Sequence, residues 1–365
     1  MDTIYMERAL ELAKKGIGKT NPNPLVGAVI VKDGVIIGEG YHQEYGGPHA
    51  EINAINNASM DVQGATMYVT LEPCSHYGKT PPCAQALVDH QIKRLVIAMK
   101  DPNPKVAGKG IAILEAAGIQ VDVGLLKEEA EHINEIFIKY ITRQQSFVLL
   151  KTAMTFDGKI ATRSGASQWI SNERSRQYVH QLRNQYSAIM VGINTVLTDN
   201  PSLTTRLDSG DNHHPTRVIV DTYGRLPLES KLVQTANTIP TILATTKFAE
   251  QDTMNQLKEK GVQILICEVE ENHVDLKDLM KKLGGKEIDS IMVEGGATLN
   301  YSLLEQKLVD KVITFVAPKI FGGREAPTPV GGIGIAKPEN AIQLTNIRIV
   351  PFEEDIMIEG YVKGE

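Results

Sequence analysis

Three ligand-type side chains set the tightest constraint on this chain. His49-Ala50-Glu51 is followed, 23 positions after Glu51, by Cys74 in Pro73-Cys74, and nine positions later by Cys83 in Pro82-Cys83. Zinc takes nitrogen and sulfur ligands in a tetrahedral array, and a catalytic site takes three from protein and leaves the fourth place to water. A fold in which His49 opens a helix and both cysteines lie on a strand-to-helix loop brings all three to one ion. Glu51 is then not needed as a ligand and is placed to move protons. It takes one from metal-activated water and hands it to a leaving amine. The competing reading is a structural zinc site, with His42 or His76 among the ligands and Glu51 idle. A Cys74–Cys83 disulfide fits poorly in a chain with three cysteines and no export signal.

The hydropathy pattern supplies the elements such a site needs. Pro24 to Tyr41 reads as two apolar strands around the turn Lys32-Asp33-Gly34. HAEINAINNAS reads as a helix, ATMYVTLEP as a strand, CAQALVDHQ as a helix and RLVIAMKDP as a buried strand. GIAILEAAG is a helix closed by Gly118, IQVDVGLL a short strand, and the segment 127–144 one long charged helix. At the N-terminus, Ile4, Met6, Ala9, Leu10 and Ala13 share one side of an amphipathic helix, which is not an export signal. Strand-helix alternation of this kind predicts an α/β layer with helices on both faces.

The pattern restarts at SFVLLKTAMTFDGKIA, so the expected domains are 1–145 and 146–365. The second repeats the alternation through SAIMVGINTVL, TRVIVDTYG, TIPTILATT, IDSIMVEGG and DKVITFVAPKI, then ends on a strand pair. No internal repeat links the halves. A length of 365 residues suits two domains.

Net charge is -6, and no basic block exceeds a pair, so nucleic acid is not an expected partner. No apolar run reaches the ~18 residues of a membrane span. The expected compartment is the cytoplasm. Segment 127–144 fits an interdomain face or a subunit face equally well, leaving a homo-oligomer open.

H-x-E followed by P-C-x-x-C is the signature of zinc nucleobase deaminases. Here the cysteines stand farther apart, in PCSHYGKTPPC. TNPNPLVGAVIV, HAE, EPCSHYGKTPPC and DPNP together resemble the deaminase half of the bifunctional riboflavin biosynthesis deaminase/reductase family, which uses the long spacing. The resemblance implies a cytidine-deaminase-like α/β/α domain with one zinc per chain. Its substrate would be a diaminopyrimidinone ribosylamino 5'-phosphate, deaminated to the uracil form. It assigns Asn23, His42, His76, Lys79, Asp101 and Asn103 to substrate, with Lys79 apt for phosphate. Read as plain structure, Asn23 and Asn103 cap Pro-flanked turns and Asp101 starts one.

In the second half, Asp157-Gly158 marks a tight turn, and Gly295-Gly296 before a helix lets backbone approach a ligand, with a helix N-terminus favouring phosphate. The dinucleotide fingerprint G-x-G-x-x-G is not what this segment spells. These segments resemble the reductase half of the same family, from about Ser146 to Gly323. The implied fold is dihydrofolate-reductase-like α/β, and the implied cofactor is NADPH. The resemblance places the cofactor at Ala153, Trp169, Thr195, Asp199, Thr222, Gly296, Ala297, Thr298, Leu299 and Asn300. It places the ribose-phosphate substrate at Lys151, Ser167, Arg183, Leu203, Arg206 and Glu294. Arg183 and Arg206 suit a bidentate grip on phosphate. Trp169 offers a flat face to a cofactor ring, unless it belongs to the core, and Asp199 is otherwise a turn cap. Lys151, Asp199 and Glu294 are unranked candidates for assisting ring opening.

Two other functions remain to be weighed. One is a nucleoside or tRNA deaminase fused to a folate-type reductase. The other is a zinc-structured binding module without catalysis.

Overall fold

The computed structural model describes residues 1–75, 82–104, 106–208 and 212–364. It forms two compact units, Met1–Gln145 and Ser146–Glu365.

The first unit runs α1 (Asp2–Ala13), β1 (Gly27–Lys32), β2 (Val35–Tyr41), α2 (Ala50–Asn56), β3 (Thr66–Leu71), α3 (Cys83–Asp89), β4 (Arg94–Met99), α4 (Lys109–Ala116), β5 (Gln120–Val123), α5 (Lys127–Ile133) and α6 (Glu135–Arg143). Its sheet has the order β2-β1-β3-β4-β5, with β1 antiparallel to both neighbours and the other pairs parallel. The central strands GAVIVK, TMYVTL and RLVIAM are near-continuous apolar runs because both faces are covered. The β1–β2 turn holds Asp33 and Gly34 left-handed, at φ 52° and 79°, which suits the twist of a hairpin.

Gly40 decides how close α2 can lie. A Cβ there would overlap the Ala54 nitrogen and the Ala50 carbonyl, so the helix backbone rests directly on β2. Gly40 pairs with Ala28, and side chains alternate along a strand, so the adjacent Gly27 faces the opposite side. A Cβ on Gly27 would overlap the Ala9 carbonyl of α1. Thus α1 and α2 cover opposite faces.

The expected single helix over 127–144 is instead two, broken at Asn134. The buried Asn134 carboxamide accepts from the Leu25 N–H at 2.8 Å and donates to the Leu25 and Ala130 carbonyls. This bridge to a distant strand-leading segment competes with helix continuation, and Asn134 leaves helical geometry at φ -108°, ψ 15°. At the N-terminus, Met6, Ala9, Leu10, Leu12 and Ala13 are buried, but Ile4 is 64% exposed and lies off the core stripe.

The second unit runs β6 (Phe147–Thr155), α7 (Glu173–Gln185), β7 (Ala188–Gly192), α8 (Ile193–Asp199), β8 (Thr216–Val220), α9 (Lys231–Gln234), β9 (Thr241–Thr245), α10 (Gln251–Glu259), β10 (Gln263–Ile266), β11 (Val269–Glu270), β12 (His273–Val274), α11 (Leu276–Gly284), β13 (Ser290–Val293), α12 (Ala297–Glu305), β14 (Lys311–Ala317), β15 (Leu344–Phe352) and β16 (Asp355–Val362). Nine strands form one sheet, β10-β9-β8-β7-β13-β6-β14-β16-β15. From β10 to β14 every pairing is parallel, and β16 and β15 add antiparallel. Val293 of β13 pairs with Leu150 on one side and Met190 on the other. The carboxyl ends of β6, β7 and β13 therefore lie side by side, where ligands bind in open parallel sheets.

Candidate active sites

In the first unit, His49 caps α2 and Cys83 is the first residue of α3, so two helix starts face the loop carrying Cys74. His49 Nδ1 lies 3.5 Å from Cys74 Sγ and 3.2 Å from Cys83 Sγ. All three donor atoms lie within 4.8 Å of one another. Bonds of about 2.0 Å to nitrogen and 2.3 Å to sulfur place tetrahedral N and S ligands roughly 3.5 Å apart, so the set fits zinc. Among the described residues, no fourth protein ligand joins it. The Cys83 N–H donates to Cys74 Sγ at 3.2 Å. Hydrogen bonds with Cys83 and His49 push the Cys74 thiol down, towards the thiolate a metal binds.

Glu51 lies in the first turn of α2 and is only 3% exposed. Burial raises its carboxyl above the ordinary range, the direction that suits a group which must both take and return a proton. A cavity of about 260 Å³ opens onto His49, Glu51 and Cys74. Asn23, His42, Asp101 and Asn103 line it as well. His42 Nδ1 faces the Pro48 carbonyl at 3.1 Å and so carries the proton, leaving Nε2 to accept from Asn23 Nδ2 at 3.1 Å. Burial lowers the His42 pKa, which keeps that neutral tautomer. His42 is therefore beside the donor set, its ring edge-on to His49 at 5.5 Å, and not within it. His76 and Lys79 lie outside the described residues.

Two features of this cavity were not expected. Phe137 and Ile141 of α6 contribute to its wall, so the helix assigned to a domain or subunit face has a part in the pocket. Glu72 lines it too, buried at the end of an apolar strand. An acid in that position, next to Pro73-Cys74, is the signal that could have marked it.

In the second unit, Lys151 on β6, Arg183 on the last turn of α7 and Glu294 just past β13 come together. Lys151 Nζ is 2.9 Å from Glu294 Oε2. The Arg183 fork meets Glu294, and its Nη1 donates to the Thr204 carbonyl at 3.0 Å. A largely buried carboxylate between the two cations holds the guanidinium. Arg206 is exposed, with Nη2 3.4 Å from His180 Nε2. Leu203 is buried with φ 53°, and Ser167 is half-buried.

A second cavity, about 520 Å³, lies at the carboxyl ends of β7 and β8 and the start of α12. Thr195, Thr222, Gly296, Ala297, Thr298 and Leu299 line it. Ala153, Trp169, Asp199 and Asn300 are not among its lining residues. Asn300 is buried and donates to the Pro329 carbonyl at 2.8 Å. Trp169 is 61% exposed beneath the Arg176 guanidinium at 4.7 Å, which removes the core reading. The pocket also holds Arg225, oriented by the buried Asp221, which sequence reasoning did not single out.

Two family models match: the RibD C-terminal domain over residues 146–358, and the cytidine and deoxycytidylate deaminase zinc-binding region over residues 1–99. The riboflavin biosynthesis protein RibD of Actinobacillus pleuropneumoniae is 49% identical, across 99% of this chain and 95% of the relative. That of Aquifex aeolicus is 44% identical, across 98% of each. Among solved structures, Acinetobacter baumannii RibD superposes with a TM-score of 0.89 at 38% identity, covering 100% of this chain and 99% of that one. The Thermotoga maritima diaminohydroxyphosphoribosylaminopyrimidine deaminase/5-amino-6-(5-phosphoribosylamino)uracil reductase gives 0.87 at 38% identity, covering 99% of each.

Proposed function

The chain belongs to the RibD family of bifunctional riboflavin biosynthesis proteins, and on that premise we propose how its residues divide the two reactions. Residues 1–145 deaminate the diaminopyrimidinone ribosylamino 5'-phosphate, and residues 146–365 reduce the ribosyl side chain of the product to ribityl with NADPH. The observation that carries the first half is the convergence of His49, Cys74 and Cys83 beside a buried Glu51. Fusion of a nucleoside or tRNA deaminase to a folate-type reductase, and a non-catalytic zinc module, are not favoured, because relatives of this one family span both halves.

His49, Cys74 and Cys83 would hold zinc, which would supply the Lewis acidity that brings the pKa of water near neutrality. Glu51 takes the proton from the attacking water and returns it to the departing amine. Its burial excludes bulk water that would compete for that proton. His42, fixed as the Nδ1–H tautomer, holds the Asn23 carboxamide against the pyrimidine, and Asp101 and Asn103 line the same cavity. The Lys79 ammonium takes the phosphate.

In the reductase, the helix N-terminus at Gly296 and the pocket of Thr195 and Thr222 receive the cofactor. Lys151, paired with Glu294, faces the substrate's polar ring edge or opening sugar, and Arg206 takes its phosphate. We place the enzyme in the cytoplasm; among the described residues no helix is long and apolar enough to cross a membrane. The test is ammonia release from the ribosylamino pyrimidine phosphate by zinc-loaded protein, followed by NADPH oxidation in the same tube. Ammonia without subsequent oxidation, or oxidation without prior deamination, overturns the proposed division. A fragment of residues 1–145 that folds, holds zinc and deaminates would locate the first activity within that unit.

A further inference from the structure

The Glu72 carboxylate is 3% exposed, and among the described residues no lysine or arginine pairs with it. Backbone donors surround it instead. Oε2 accepts from the N–H groups of Asp101 at 3.2 Å and Gly108 at 3.0 Å. Oε1 accepts from Gly110 at 3.1 Å and Ile111 at 3.4 Å. Two donors on each oxygen is a pattern that an acceptor-only carboxylate satisfies and an amide does not. The same residue continues the sheet, its N–H donating to the Met99 carbonyl at 3.0 Å. Two positions on stands the zinc ligand Cys74.

From this geometry we propose that Glu72 is a positioning residue for the deaminase, setting through the N–H groups of Asp101, Gly108, Gly110 and Ile111 where Asp101 and Asn103 stand relative to Cys74. The inference rests on the assignment of Asp101 and Asn103 to the pyrimidine. Asp101 is tied to Glu72 through its own N–H, and its Oδ1 accepts from the Asn103 N–H at 2.8 Å, so the tether extends to both. At the far end Gly110 lies against Pro73, where a Cβ would overlap the Pro73 carbonyl. The turn on the substrate side and the loop on the metal side are thus joined by one side chain and one backbone contact, and they move together.

Glu72→Gln presents an NH2 to two of the four N–H donors, which displaces one end of the turn without touching any zinc ligand. Asp101 and Asn103 contact the pyrimidine before and during reaction alike, so misplacing them raises KM more than it lowers kcat. A displacement on the order of 1 Å costs roughly tenfold to a hundredfold in kcat/KM. A brace that only stabilises the fold leaves KM per zinc-loaded molecule unchanged. The experiment measures zinc content, then KM and kcat of deamination per bound zinc, with NADPH oxidation of the deaminated substrate as internal control.

Expected is about one zinc per chain, a KM raised about tenfold or more, and unchanged reductase activity. In an Asp101→Ala background the same substitution should add little, since the two act through one contact. A zinc-loaded Glu72→Gln with KM within about twofold of wild type, or full additivity with Asp101→Ala, overturns the inference. Should Glu72→Gln fail to fold, Glu72→Asp keeps the carboxylate at shorter reach and is read the same way. Loss of zinc in both variants makes Glu72 a brace of the metal loop alone and overturns the positioning role. If Asp101→Ala and Asn103→Ala leave KM unchanged, the substrate assignment falls and this inference with it. If they raise KM and Glu72→Gln does not, only this inference falls.

Discussion

Arg183 and Glu294 meet fork to fork, with Nε 2.8 Å from Oε1 and Nη2 3.1 Å from Oε2. Lys151 reaches Oε2 from the neighbouring strand at 2.9 Å. Burial alone would raise the Glu294 carboxyl, but the charges of Arg183 and Lys151 outweigh it and hold the group well below the usual carboxylate range. Glu294→Gln leaves two cations without their counter-charge and should destabilise the second unit by about 3–5 kcal/mol. A depressed folded pKa contributes stability above the unfolded value of about 4.3 and loses it as pH falls towards the folded value. Wild type should therefore lose stability more steeply than the variant below about pH 4.3. Parallel acid limbs in the two proteins, followed by thermal melting, would show that the cluster is not ionised as drawn.

Glu51→Gln keeps size and leaves the zinc ligands intact, but removes the proton acceptor. General acid–base groups supply ~10²–10⁴ in rate, so deamination should fall by at least about a thousandfold for a residue serving several transfers. Zinc content and NADPH oxidation of supplied deaminated substrate should stay near wild type. Deamination within a few-fold of wild type would remove Glu51 from the mechanism.

Cys83→Ser tests the metal directly. The buried Cys83 Sγ stands 3.2 Å from His49 Nδ1 and its N–H supports Cys74, so this ligand joins all three. Metal content should fall from about one zinc per chain towards zero, and ammonia release should fall with it. Metal loss with activity retained would exclude zinc from the chemistry. The reductase should be unaffected.

Much of this was legible because chemistry and pattern coincide. HAE, the two Pro-Cys pairs and the apolar runs of β1, β3 and β4 point to the same strand-helix frame around one donor set. The breakdowns are tertiary. Asn134 interrupts a helix because it bonds to Leu25, 109 positions away, and no local propensity encodes that partner. The Arg183–Glu294 pair was equally hidden, because 111 positions separate the two and a strand end delivers Glu294 to the guanidinium. Glu72 ends a strand as an acid beside Pro73-Cys74, but its partners are hidden in the sequence, since its four donors come from a segment about 30–40 positions downstream. His76 and Lys79 lie outside the described residues, and their roles stay with the family resemblance.

His180 Nε2 lies 3.4 Å from Arg206 Nη2. Its pKa is pushed down to about 4, by burial first and then by the charges of Arg183 and Arg206, against an opposing pull from Glu294. The folded imidazole is therefore neutral at pH 7 and accepts from Arg206. The unfolded chain takes up a proton near pH 6.5, well before the folded one does. Between about pH 6.5 and pH 4 the unfolded state then binds more protons, so acidification costs the second unit stability across that window and no further below it. This window sits above the one set by Glu294, so the two effects separate on the pH axis. His180→Gln keeps an acceptor for Arg206 and removes the titration, and should flatten the slope between those limits. Solvent screens a half-buried ring, so the change is modest. His213 is also pushed down by burial, so its slope remains in the single variant and His180→Gln with His213→Gln should flatten the window further. Trp169, the one tryptophan in the chain, lies in the second unit, and its fluorescence follows that unit's unfolding alone. An unchanged slope in the double variant would mean that His180 titrates normally and does not hold Arg206 as a neutral acceptor.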